Sequence, residues 1–255
     1  MSDDKVLVEQ RDRVLVMTIN RPEARNAIDR SMAVALAAAI DRLDESEGLS
    51  VGVLTGTRTV FSAGMDLKGF LRGETPAIPG RGLAGLTETP PRKPIIAAVE
   101  GWALAGGFEM TLACDLVVAG ESAKFGTPEV KRSLVASAGA ALFLPSRLPR
   151  PIAMEMLLTG DPMTAPRAAE VGLINYMVPD GTALDKALEL AEAIARNGPL
   201  ALVATKRIAR LAADWTTENR WDKQREISAP VQSSDDAREG AAAFVEKRQP
   251  VWSNR

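Results

Sequence analysis

The 255-residue chain is long enough for one large domain or two small ones, and with 46% hydrophobic and 25% charged residues it has the composition of an ordinary globular protein. Its 31 Lys and Arg against 33 Asp and Glu give no basic excess of the kind a nucleic-acid binder carries. The absence of histidine excludes Ser-His-Asp and Cys-His triads and the usual zinc sites, so acid–base chemistry near neutral pH must come from carboxylates, Lys, Tyr or the single cysteine.

That cysteine, Cys114, has no partner for an internal disulfide, and the first thirty residues lack the basic-then-apolar layout of a signal peptide, so a cytoplasmic protein is expected. The longest apolar runs are too short, or too interrupted by glycine and acid, to cross a bilayer.

In chain order, "KVLVEQRDRVLVMTIN" alternates apolar and polar residues around a polar centre, the pattern of a β-hairpin. Asp29 is placed to cap a helix over 30–45, where Met32, Leu36, Ile40 and Leu43 recur at helical spacing. "VGVLTG" at 51–56 predicts a short buried strand, and "TVFSAGMDLKGF" a loop entering a helix. Residues 73–91, rich in Gly, Pro and Thr without sustained periodicity, are expected to form a mobile surface segment.

"PIIAAVEGWALAGG" predicts a strand and a glycine turn, and "FEMTLACDLVVAG" a helix and another strand. From about 150 helical periods take over, with Leu184, Ala187, Leu188, Ala191 and Ile194 forming one stripe. The expected organisation is an α/β core over 1–194 and a helical region over 195–255, without internal repeats.

Three stretches couple a turn to a reactive group: "FSAGMDLKGF", "ALAGGFEM" and "AKFGTPEV". In the first two, a strand ends in small residues that open a helix, where backbone N–H groups lack intrahelical partners. Two such turns aimed at one point form an oxyanion hole, and glycine lets the main chain approach a ligand closely. Glu109 and Glu129 follow the second and third turns. Two partly buried carboxylates near one another exchange protons close to neutral pH, which suits proton chemistry beside a carbonyl. Each feature taken singly has a plainer reading: a Gly-Gly pair as a packing turn, Glu109 as a helix-dipole residue, Glu129 as a solvated helix start. Cys114 reads as core packing, and "EKRQPVWSNR" as a solvated helix end. No phosphate-binding loop and no G-x-S-x-G elbow occurs.

Taken together and in order, "VLVMTINRPEARNAI", "FSAGMDLKGF", "PIIAAVEGWALAGGFEMTLACDLVVA", "AKFGTPEV", "AMEMLLTGDPMTAPRAAEVGLI" and "EGAAAFVEKRQP" resemble the crotonase, or enoyl-CoA hydratase/isomerase, superfamily over nearly the whole chain. The resemblance implies a spiral of ββα units with a C-terminal helical trimerisation region, assembled as a trimer or a dimer of trimers. It implies an oxyanion hole from the N–H groups of Met65 and Gly106 and an acyl-CoA substrate whose CoA is part of the substrate, with no separate cofactor. Ala24, Arg25, Ala63, Met65, Asp66, Leu67 and Lys68 then line the CoA site, and Phe244 and Lys247 reach CoA on the same or a neighbouring subunit. In hydratases the equivalent of Glu109 activates water and that of Glu129 protonates Cα. Retention of both favours an enoyl-CoA hydratase, with a dehydratase of a polar acyl-CoA such as carnitinyl-CoA, a Δ3,Δ2-enoyl-CoA isomerase or a catalytically silent acyl-CoA binder as alternatives. The chain departs from the family pattern after Glu129. Ser133, Ala136, Ser137 and Ala140 stand where hydratases keep Gly or Pro, only Gly139 is kept, and Ser137 becomes a candidate acyl-pocket residue.

Overall fold

The computed structural model describes residues 4–255. The expected hairpin forms from β1 (Val6–Arg11) and β2 (Val14–Ile19), paired antiparallel from Val6↔Ile19 to Arg11↔Val14. A helix, α1 (Arg30–Glu45), follows, and Asp29 caps it by accepting a hydrogen bond from Met32 N at 2.9 Å. Its buried face carries Met32, Leu36, Ile40 and Leu43, the four positions picked out by spacing.

The chain then repeats one motif three times. β3 (Val51–Thr55), β4 (Val60–Ser62) and α2 (Leu67–Leu71) form the first unit. After two short strands, β5 (Ala77–Ile78) and β6 (Gly82–Leu83), the second unit is β7 (Ile95–Val99), β8 (Trp102–Leu104) and α3 (Gly106–Ala113). The third is β9 (Leu116–Gly120) and β10 (Lys124–Gly126), followed by a 3₁₀ turn at Pro128–Arg132, α4 (Ala140–Arg147) and α5 (Arg150–Thr159). In each unit the first strand joins a six-stranded sheet of order β1-β2-β3-β7-β9 and the second a smaller sheet, so the chain winds as a spiral of ββα units. β11 (Met163–Thr164), α6 (Ala165–Glu170) and β12 (Tyr176–Val178) close the two sheets, β12 becoming the sixth strand of the large one beside β9.

Apart from the hairpin, neighbouring strands of the large sheet are parallel. Parallel strands covered on both faces read as continuous apolar runs, and β3 and β7 are buried at every residue. Side chains alternate across the sheet. Leu15, Met17, Leu54, Ala97 and Val99 enter a core shared with α1 and the small sheet, while Val16, Val53, Ile96, Ala98 and Val118 pack against α7 (Ala183–Ala195). The centre of the α7 face is Ala183, Ala187, Ala191 and Ala195, four small residues that let the helix lie close to the sheet; Leu184, Leu188 and Ile194 flank it half-buried. Beyond it, α8 (Pro199–Leu211), α9 (Arg220–Gln232) and α10 (Asp235–Glu246) bury little: Pro199 on α8, none on α9, Asp236 and Ala243 on α10. Lys206 of α8 ties the region back by pairing with Asp115 at 2.6 Å.

Residues 73–91 depart from the sequence reading. Leu83, Ala84, Leu86 and Thr87 are buried, and β5 and β6 form a small antiparallel pair anchored by Arg30, which donates to the Ala77 carbonyl at 2.6 Å. Glycines at 80, 82 and 85 take positive φ, so the segment turns too often to show a period, yet it packs "LAGL" into the core.

Candidate active site

The small sheet explains why three stretches far apart in sequence meet. Its order is β11-β10-β8-β4, and β4, β8 and β10 run parallel. The turns after Ser62, Leu104 and Gly126 therefore leave the carboxyl ends of three adjacent strands, spaced about 5 Å apart, the place where open parallel sheets bind ligands.

The first turn is held by main chain. Ile28 N donates to Gly64 O at 2.8 Å and Ile28 O accepts from Asp66 N at 3.0 Å, so Ile28 bridges the residues on either side of Met65. The alternation of strand-like backbone then points the Met65 N–H the other way, toward α3. Gly64 has φ +88°, and a Cβ there would lie 2.8 Å from Gly106 N.

The second turn carries backbone strain. Ala105 adopts φ 51°, ψ −130°, a region that L-residues rarely occupy, at a cost of about 1–3 kcal/mol. Ala105 N donates to Gly126 O at 2.9 Å and Ala105 O accepts from Glu109 N at 3.0 Å, which hold the residue in place. Gly107 lets α3 sit on β4, since a Cβ there would come within 2.3 Å of Ser62 O. A Cβ on Gly106 would lie 3.6 Å from Met65 N, so the two sequence-predicted donor turns abut.

Glu109 is 3% exposed, and its Oε1 accepts from Ala140 N at 3.1 Å. Burial pushes its pKa up to about 7, Glu129's charge pushes the same way, and the N–H groups of Ala138, Gly139 and Ala140 oppose. Glu129, half-buried on the 3₁₀ turn, is also raised by burial against the pull of Arg132, and its Oε2 is buried without a hydrogen-bond partner. The structure thus brings Met65, Gly106, Glu109 and Glu129 to one place.

Ala63 N donates to Arg25 O at 3.0 Å, which joins the loop of Ala24 and Arg25 to the one running from Ala63 to Lys68. Leu67 and Lys68 are exposed there. The Asp66 carboxylate caps α2 at Lys68 N and pairs with Arg21 at 2.8 Å, which holds its pKa low. Ser137 is exposed in the turn before Gly139, and what this loop delivers to Glu109 is main chain. Phe244, 85% exposed, and Lys247 stand on and beside α10, a helix packed on α9. Cys114 is buried, donates to Met110 O and has its thiol pushed up to about 12 by burial, in keeping with core packing. No cluster of three potential metal-binding side chains occurs among the described residues.

Sequence reasoning missed Asn26. It is fully buried with left-handed φ 54°, and its side chain donates to Val60 O and Phe61 O at 3.0 and 3.1 Å while accepting from Arg21 N. Ser62 Oγ donates to Asn26 O and accepts from Gly64 N, so Asn26 fixes the end of β4 and with it the Met65 turn. A polar residue with αL tolerance after "PEAR" is the signal that was available.

The family model described as enoyl-CoA hydratase/isomerase matches residues 9–255. The chain belongs to this family. Enoyl-CoA hydratase EchA19 of Mycobacterium tuberculosis is 43% identical over 265 residues, covering 100% of this chain and 98% of that protein. A carnitinyl-CoA dehydratase of Salmonella paratyphi A is 41% identical over 95% of both chains. The crystal structure of a probable enoyl-CoA hydratase/isomerase from Mycobacterium abscessus superposes with a TM-score of 0.95 at 60% identity, covering 100% of each chain. The α/β spiral with its helical C-terminal region is thus the enoyl-CoA hydratase/isomerase fold.

Proposed function

We propose that this family member is an enoyl-CoA hydratase, adding water reversibly to a 2-enoyl-CoA thioester. The observation that carries the reading is the pair of raised-pKa carboxylates, Glu109 and Glu129, beside two abutting backbone donor turns. The N–H groups of Met65 and Gly106 receive the thioester oxygen and stabilise the enolate; losing one such donor costs about 2.7–4 kcal/mol of transition-state stabilisation. Glu109, ionised near neutral pH, takes a proton from water as the hydroxyl adds to Cβ. Glu129, its pKa raised by burial, gives a proton to Cα, and the proton taken up by Glu109 returns the pair to its starting state. Hydration is redox-neutral and needs no further cofactor.

Ala24, Arg25, Ala63, Asp66, Leu67 and Lys68 would cradle the CoA arm, with Lys68 free to meet phosphate. Residues 195–255 would form the trimerisation region. Phe244 and Val245, 85% and 78% exposed, favour assembly with further copies, which would bring Phe244 and Lys247 to a bound CoA. Dehydration of a polar acyl-CoA is the second reading, favoured by the likeness to carnitinyl-CoA dehydratases and by Ser137 in the altered loop after Glu129.

Loss of enone absorbance with crotonyl-CoA and longer 2-enoyl-CoAs tests the first reading. If wild type and the Glu109→Gln/Glu129→Gln double variant are equally slow across the panel, hydration of these substrates is not the reaction. Product mass separates the others, since isomerisation of a 3-enoyl-CoA leaves mass unchanged and dehydration removes water.

A further inference from the structure

Beside Glu129 the chain encloses a second feature that neither the donor turns nor the CoA loops use. A cavity of about 380 Å³ runs between the 3₁₀ turn, α4 and α5. Glu129, Val135, Pro145, Arg150, Met154 and Leu158 are among its walls. A second cavity of about 500 Å³ lies elsewhere, between the end of α1 and α8–α9, and touches none of the site residues.

The direction of the groove follows from α5. Arg150, Met154 and Leu158 are spaced four apart, so one face of the helix forms the wall. Thr127 donates to Met156 O at 3.1 Å, and a Cβ on Gly160 would lie 3.2 Å from Pro128 Cα. The Glu129 turn therefore sits at the C-terminal end of α5. Arg150 is eight residues back from Leu158, so its Cα lies about 12 Å away along the helix axis. Between these ends the walls are mostly apolar and partly bare to solvent, with Val135 70% and Leu158 67% exposed.

The far end is cationic. Among the described residues Arg150 has no carboxylate partner, whereas Lys131 pairs with Asp161 and Arg167 with Glu170. Arg150 also opens the ten-residue helix α5, whose N-terminal dipole adds to the positive field. An apolar channel leading from a reacting carboxylate to an unpaired guanidinium complements a ligand with an apolar stem and an anionic tip.

We propose that this groove receives the acyl tail of the substrate and that Arg150 binds a carboxylate at its end, so that the preferred substrates are medium-chain 2-enoyl-CoAs with a terminal carboxylate. The proposal rests on the hydratase reading for the acyl group lying beside Glu129. It weighs against a trimethylammonium-tipped chain of the carnitinyl kind, which would meet like charge at Arg150.

The test measures affinity separately from turnover. Calorimetry on the full chain compares a saturated medium-chain acyl-CoA ending in carboxylate with its methyl-ended equivalent, for wild type, Arg150→Ala and Arg150→Glu, each checked by thermal melting. Wild type should favour the carboxylate end by about three- to tenfold, the range for a partly solvated charge pair. Arg150→Ala should bring the ratio to one and Arg150→Glu should invert it. Equal affinities in wild type, or a preference that survives Arg150→Ala, overturn the proposal, as does a fall in assembly mass with no change in the ratio, which would make the groove a subunit contact. If crotonyl-CoA is hydrated and no preference is seen, this inference fails alone. If no enoyl-CoA is hydrated while the Arg150-dependent preference persists, the groove stands and the hydratase reading fails.

Discussion

The two walls of the site are built differently. The α3 wall is tightly packed and tied: Gly107 lies against Ser62 O, Ala105 is strained and held at both ends, and Glu109 is buried with a main-chain donor on its carboxylate. On the wall formed by the 3₁₀ turn and α4, Ser133, Val135 and Ser137 are exposed, Glu129 is half-buried, and one of its oxygens has no partner. On the proposed reading the α3 wall would fix the atoms that every substrate of one reaction shares, the thioester oxygen and the attacking water. The opposite wall would meet the part of the acyl group that differs between substrates. Rigid geometry belongs to the first and tolerance to the second, and substitutions on the two walls should separate accordingly.

The largest separation is expected at Glu109. Glu109→Gln keeps the oxygen that accepts from Ala140 N but removes the base, so kcat on a 2-enoyl-CoA should fall by about 10²–10⁴ with KM little changed. The same variant should be more stable than wild type at pH 8. The folded carboxyl titrates near 7 and the unfolded one near 4.5, so the native state holds the extra proton; stability is full below about 4.5 and declines as pH rises through 7. Replacing the acid should recover about 1–3 kcal/mol at pH 8 and nothing at pH 4.5, measured by urea unfolding at both pH values. A variant that is no more stable at pH 8 would mean that Glu109 is not held at a raised pKa.

Next comes Gly107→Ala. The added methyl meets a backbone carbonyl at 2.3 Å, so α3 must lift off β4 and carry the Gly106 N–H with it. A shift of this kind should cost about 100-fold in kcat/KM and about 1–3 kcal/mol of stability. If the enzyme keeps near-wild-type activity, the tightness of this wall is not what positions the donors. A smaller and graded effect is the acid limb of the rate profile: kcat/KM should drop about tenfold per unit below pH 7 as Glu109 takes up its proton, and a limb near 4.5 would show an ordinary, solvated carboxylate.

How much of this was legible in the sequence follows the same division. The α3 wall depends on local signals, a glycine pair, a helix start and a carboxylate in the first turn, so "GWALAGGFEM" marks it as a candidate, although alone it reads equally as a packing turn and gains weight only beside "FSAGMD" and "FGTPE". Their convergence is a property of strand order: β4, β8 and β10 are neighbours in the small sheet, and no single stretch contains that fact. Asn26 escaped because its work is done at residues 60–62, more than thirty positions away. Residues 84 and 86 escaped because glycines at 82 and 85 broke the period that would have marked them as core. The groove reaching Arg150 arises only when α4 and α5 close over the turn at 128–132, and its residues look like two unrelated helix faces in the sequence.

The smallest effect tests the tolerance of the second wall. Ser133 ends the 3₁₀ turn with φ 53°, ψ 33°, the left-handed region in which an L-residue pays about 1–2 kcal/mol. Its side chain is exposed and its N–H is taken by Val130 O, so only the backbone conformation is at stake. Ser133→Gly removes the Cβ conflict and adds unfolded-state entropy worth about 0.5–1 kcal/mol, leaving a net gain of up to about 1 kcal/mol. Urea unfolding should therefore show a modest stabilisation while kcat/KM stays within about twofold of wild type, because no group that touches the acyl chain has moved. A large loss of activity would instead place the Ser133 turn among the elements that aim Glu129, and the second wall would have to be counted as rigid as the first.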